Sequence, residues 1–113
     1  MAAMATALKE FSDQGNSREY TLSGHTAIKP SLVLQKRKVA QGNQVVIEDT
    51  ISVLQATEDA ASLPLAERVL FTVIVRRPKT GIAADVTSAL ATFRDIIAGD
   101  EFGNTVNTQE YLS

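Results

Sequence analysis

A chain of 113 residues, 44% of them hydrophobic and 21% charged, is one domain's length of foldable sequence, too short for two cores and too apolar for wholesale disorder. The absence of cysteine excludes disulfides, thiol nucleophiles and thiolate metal sites together. The formal net charge of -2 argues by itself against nucleic acid, and no stretch approaches the roughly 18 apolar residues of a membrane span.

The opening MAAMATALKEF carries Lys9 and Glu10 too early for a secretory signal, so a soluble protein of a reducing or neutral compartment is expected. Residues 6–11 and 18–22 are short strand candidates, joined by SDQGNS, whose Asp, Gly, Asn and Ser suit a hairpin loop. After the polar connection GHTAIKP, Leu32 to Val39 and Val45 to Leu54 read as two strands around AQGN, where Gly42 and Asn43 tolerate positive φ. In the second of these, Val45, Ile47, Ile51 and Val53 alternate with Val46, Glu48, Thr50 and Ser52, and Asp49 breaches the apolar side. Residues 55–66 lack periodicity and contain Pro64, which predicts a long exposed loop with at most a short strand in it.

The strongest strand is ERVLFTVIVRRP, residues 67–78, with Val69, Phe71, Val73 and Val75 facing one way and Arg68, Leu70, Thr72, Ile74 and Arg76 the other. From Ile82 the period changes. Ile82, Val86, Ala89, Leu90, Phe93, Ile96 and Ile97 fall on one helical stripe, predicting an amphipathic helix of about 17 residues closed by Gly99. In the tail, Asn107 and Glu110 have the spacing of a weak capping box and suggest a second, short helix. The fold class is therefore α+β: an N-terminal hairpin within a five-stranded antiparallel sheet, followed by one long and one short helix. One domain covers 1–113, divided into a hairpin at 1–24, a main sheet at 31–78 and a helical region at 80–113.

Five strands about 4.8 Å apart and up to about 33 Å long make a face of roughly 800 Å², of which a helix about 25 Å by 10 Å covers about a third. An apolar face left two-thirds bare, on a sheet with open edges, calls for a second copy of the chain. An obligate two-fold dimer with joined sheets is expected.

Chemistry is sparse. His25 is the only histidine and lies in a polar loop without a local carboxylate partner; an ordinary loop residue is the better reading. Glu48 and Asp49 are neighbours in a strand, so they point to opposite faces and share neither proton nor metal, and the Glu58-Asp59 and Asp100-Glu101 pairs read as solvated charge. Glu48 is placed to pair with a cation across the sheet. No phosphate loop, HExxH, GxSxG or GxGxxG occurs, so no enzyme, cofactor, metal or small-molecule substrate is expected.

Charge distribution carries more than its total. Eight of the eleven cations fall in two acid-free stretches: Lys29, Lys36, Arg37 and Lys38 between Glu19 and Glu48, and Arg68, Arg76, Arg77 and Lys79 between Glu67 and Asp85. The run Lys36, Arg37, Lys38 has a bland explanation as charge guarding a hairpin end. Combined with the second cluster and doubled by a dimer axis, it favours a surface that contacts phosphates. Base stacking is not signalled, because the only aromatic residue in the two basic strands is Phe71, assigned to the core.

In this order, a hairpin, long strands, ERVLFTVIVRRP and then GIAADVTSALATFRDIIAGDEFGNTVNTQEYL, the chain resembles the coat proteins of single-stranded RNA bacteriophages, the leviviruses. The likeness spans nearly the whole chain and is most specific over 67–113. It implies an interlocked homodimer with a continuous sheet, helices outside, and the opposite sheet face turned toward genomic RNA in an icosahedral shell assembled in a host bacterial cytoplasm. In that family a dimer also binds an RNA stem-loop and represses translation. Carried over by strand and facing, the implied RNA contacts are Gln35, Arg37, Thr50, Ser52, Arg68, Thr72 and Arg76, with Lys36 and Lys38 nearby. Residues 55–66 become the loop that changes conformation around symmetry axes. Relatives can stack a base on a tyrosine of the last long strand, and this one has none. The alternative is a small dimeric RNA-binding regulator that forms no shell; a structural subunit holding RNA only incidentally is a further rival.

Overall fold

The computed structural model of the protein describes residues 4–38 and 45–113. The chain divides into two compact units, Met1–Arg76 and Arg77–Ser113.

In the first unit the strands form one antiparallel meander in the order β1 (Lys9–Asp13), β2 (Ser17–Thr21), β3 (Ser31–Lys38), β4 (Val46–Glu58) and β5 (Pro64–Pro78), the last ending just past the unit's boundary. The first strand starts later than 6–11 predicts, and a bulge between Glu10 and Ser12 inserts Phe11 into its pairing with β2. The turn at 13–17 is built by Asp13, whose carboxylate accepts the Gly15 N–H at 3.0 Å, while Gly15 takes φ 73°, a conformation open to glycine. Between β2 and β3, His25 Nδ1 accepts the Ser31 N–H at 3.0 Å and Thr26 Oγ1 accepts the Lys29 N–H at 2.9 Å. The expected turn at AQGN, and Val39 with it, lies outside the described residues.

The predicted long loop at 55–66 is corrected. Residues 55–58 continue β4, with the Ala56 N–H donating to Pro30 O at 3.0 Å and Lys29 Nζ 3.2 Å from Glu58 Oε1. Only residues 59–63 remain as a connection. Asp59 closes it: its Oδ1 accepts the N–H groups of Ala61 at 2.9 Å and Leu63 at 3.0 Å, around Ser62 at φ 63°. Two backbone donors are thus satisfied by one carboxylate, which lets β4 and β5 run long on either side.

The second unit holds α1 (Ala83–Ala98) and α2 (Asp100–Thr108). The long helix is where its apolar spacing places it, and Gly99 closes it by donating its N–H to Ile96 O at 3.2 Å. That glycine is extended at φ -77°, not left-handed, because it also starts α2. The short helix lies upstream of the suggested capping box. Asn107 sits in its last turn, where its side chain donates to Gly103 O, and Glu110 lies beyond it, accepting from Thr108 Oγ1 at 2.7 Å. Among the described residues no helix is long and apolar enough to cross a membrane.

None of the described residues is buried. Val69, Phe71 and Val75 of the sheet remain 42–45% exposed, and Leu90, Phe93, Ile96 and Ile97 of α1 remain 40–42% exposed.

Candidate nucleic-acid interface

In an antiparallel pair, directly opposed residues share a face, so register sorts the candidate residues. Lys36 lies opposite Thr50, Lys38 opposite Glu48 and Leu34 opposite Ser52. Ser52 Oγ and Thr72 Oγ1 are 3.1 Å apart, and Arg76 Nε is 3.3 Å from Glu48 Oε2, which brings β5 into the same face. Both pairs fit one antiparallel register, in which alternation adds Arg68, Leu70 and Ile74. One face of the sheet therefore carries Lys36, Lys38, Thr50, Ser52, Arg68, Thr72 and Arg76 together.

Gln35 and Arg37 are not among them. They lie opposite Ile51 and Asp49, on the face of Val33 and Val53, to which alternation along β5 adds Val69, Phe71, Val73 and Val75. The expected seven-residue set is thereby split: its two β3 members point away from the other five, and the two lysines assigned to the margin take their place. The cause is the period of two, since a one-residue change of facing exchanges every side chain of a strand. Sequence reasoning also missed Ser17, which lies opposite Lys36, because the pairing of β2 with β3 is invisible until the register is known.

On the basic face Lys36, Lys38, Arg68, Thr72 and Arg76 are exposed, while Thr50 and Ser52 are half-buried. Its charge is only partly offset. Glu48 pairs with Arg76, as an acid on that strand is placed to do, but the Arg76 and Glu48 side chains are still 66% and 34% exposed, so the pair is weak and open to a competing anion. Leu32, Leu34, Leu54, Leu70 and Ile74 interrupt the polar groups, a more apolar lining than phosphate contact alone requires. Lys38, Val45, Val46, Glu48 and Arg76 surround a shallow depression of about 190 Å³.

On the opposite face, at the end nearest the β1–β2 turn, Arg18 Nη2 lies 3.5 Å from Asp13 Oδ2. Tyr20 first, and then the Asp13 charge, raise the Arg18 guanidinium above its ordinary pKa. Among the described residues no three metal-ligating side chains come together. His25 serves its own loop: besides accepting from Ser31, its ring stands tilted against Phe11 with centroids 6.2 Å apart.

No family model and no curated protein matches the sequence. Solved structures match in fold. A chain of the virus-like particle of Beihai levi-like virus 32 aligns with a TM-score of 0.76 at 14% identity, over 96% of this chain and 90% of that one. The virus-like particle of Wenzhou levi-like virus 4 gives 0.77 at 14% identity, over 92% and 75%. The virus-like particle of bacteriophage ESE020 gives 0.73 at 14% identity, over 97% and 92%. The five-stranded meander followed by a long and a short helix is thus the fold of proteins that form levi-like virus-like particles, as the resemblance in sequence implies.

Proposed function

We propose that this chain is a structural capsid protein: a single coat-protein domain that dimerises, assembles into an icosahedral shell and encloses single-stranded RNA against its basic sheet face. The observation that carries the reading is the division of the sheet into two faces, on a fold shared with virus-like particle proteins. One face gathers Lys36, Lys38, Arg68 and Arg76 with the hydroxyls of Thr50, Ser52 and Thr72; the other gathers Val33, Ile51, Val53 and Phe71. The apolar face and the apolar stripe of α1 are each exposed and complementary in character, which favours helices of a second copy lying over this sheet. At the far edge, β5 is 15 residues long and has β4 as its strand neighbour, leaving an edge for the β5 of a second copy and hence a continuous sheet.

On this reading the lysines and arginines offset phosphate charge inside the shell, and residence is in the virion after assembly in a bacterial cytoplasm. Contact is mainly through phosphates, which dominate affinity and make it salt-dependent. Repression of translation through an RNA stem-loop is the finer extension; Thr50, Ser52 and Thr72 are the groups on this face suited to reading one. The test is expression of the chain alone, nuclease treatment of the lysate and recovery of RNA co-sedimenting with protein. Nuclease-resistant RNA in fast-sedimenting material supports the proposal. RNA bound only by a slow dimer, and fully digested, favours the shell-less regulator.

A further inference from the structure

The apolar face of the sheet ends in a basic cavity. It is a shallow space of about 120 Å³ lined by Gly15, Asn16, Arg18, Tyr20, Gln35 and Arg37. Arg18 lies opposite Gln35, Gln35 opposite Ile51, and Tyr20 opposite Val33. Along these rows the surface changes from aliphatic on β4 to guanidinium on β2 within two strand spacings, about 10 Å. Neither guanidinium is saturated. Arg18 has Asp13 at 3.5 Å, with its own side chain 47% exposed. Arg37 donates to Asn16 Oδ1 at 3.4 Å and forms no ion pair among the described residues, although Asp49 is its cross-strand neighbour. An arginine has five N–H donors in a fork that fits a carboxylate, and two such forks flanking one cavity make an oxyanion site.

The complementary group is in the same sequence. From Ile82 onward the chain carries Asp85, Asp95, Asp100, Glu101 and Glu110 against one cation, Arg94. Asp100 and Glu101 occupy the first turn of α2, are exposed, and have no ion-pair partner among the described residues. They follow Ile96 and Ile97 of the apolar stripe across Gly99. With Cα atoms about 3.8 Å apart along the chain, Asp100 lies within about 11 Å of Ile97, the same reach as the passage from aliphatic to guanidinium on the sheet.

We propose that the cavity between Arg18 and Arg37 is a carboxylate site filled by Asp100 and Glu101 from α2 of a second copy, an inference that rests on the dimer of the proposed function. The order apolar then acidic along the helices matches the order apolar then basic across the sheet. The site thereby fixes the direction in which the helices lie, which an apolar stripe alone leaves free.

Charge exchange tests it on the full chain, with association followed by sedimentation velocity over a protein dilution series. The Arg18→Glu, Arg37→Glu pair and the Asp100→Lys, Glu101→Lys pair each weaken association about tenfold or more, and all four together restore most of it. The near-isosteric Asp100→Asn, Glu101→Gln variant, which leaves the helix its shape, gives the same loss should a charge-reversed chain fail to fold. Unchanged association in the neutral variant, or four substitutions that do no better than two, overturns the site while the dimer stands. A wild-type chain that is monomeric at every concentration overturns the dimer itself and this site with it.

Discussion

Truncating Phe71 separates facing from mere exposure as the determinant of assembly. Phe71 retains 42% of its accessible surface in the isolated chain. A phenylalanine side chain buries on the order of 200 Å², so about 80 Å² per copy is left for a second chain to cover. At about 25 cal/mol per Å² that cover contributes about 2 kcal/mol per copy, hence about 4 kcal/mol when a two-fold axis buries it twice. Phe71→Ala is therefore expected to weaken dimerisation by up to about a thousandfold in Kd. The control is Ile74→Ala. Ile74 is more exposed, at 60%, but alternation along β5 puts it on the basic face, so its loss leaves dimerisation within about threefold. Sedimentation velocity across a dilution series reads both, with far-UV circular dichroism reporting whether the strands persist. Equal effects of the two substitutions, or no effect of Phe71→Ala, would refute the assignment of the apolar face to the dimer interface.

Three further outcomes rest on individual side chains. Neutralising Lys36 and Lys38 to Gln lowers retained RNA and reduces the slope of log affinity against log salt by roughly 0.7 to 0.9 for each phosphate no longer neutralised, whereas Arg37→Gln, on the opposite face, leaves that slope unchanged. His25→Ala removes the acceptor of the Ser31 N–H and the ring against Phe11, costing about 1 kcal/mol in urea unfolding. Asp59→Ala strips the Ala61 and Leu63 N–H groups of their acceptor, so hydrogen exchange at those two amides accelerates by about tenfold while Asp59→Asn, which keeps an oxygen, changes it less.

What the residues disclosed by themselves depended on how local the cause was. The alternation of Val69, Phe71, Val73 and Val75 and the helical stripe from Ile82 to Ile97 are properties of consecutive side chains, and β5 and α1 lie where they point. Gln55 to Glu58 have no such period; they are strand because β4 pairs that far, down to the Ala56 N–H on Pro30 O, and because Asp59 can close a short turn. Asn107 and Glu110 fit a capping box by spacing alone, yet Gly99 both stops α1 and starts α2, so the helix is spent before that box begins. The candidate site was legible within each strand and illegible between strands. Alternation says that Lys36 and Lys38 share a face and that Thr50 and Ser52 share one; only pairing says that the two faces are the same. Similarly, Arg18 and Arg37 come together through the β2–β3 register, which no spacing in the sequence announces.

The most direct test of the account is the mass and nucleic-acid content of the particle the chain forms by itself, from size-exclusion chromatography with light scattering, absorbance at 260 and 280 nm, and negative-stain imaging of the heaviest peak. With two Tyr and no Trp the protein absorbs weakly, so enclosed RNA dominates the spectrum. A coat protein gives uniform closed shells with a nucleic-acid spectrum. A small dimer of protein absorbance alone, with no heavier species at any concentration, would contradict that reading.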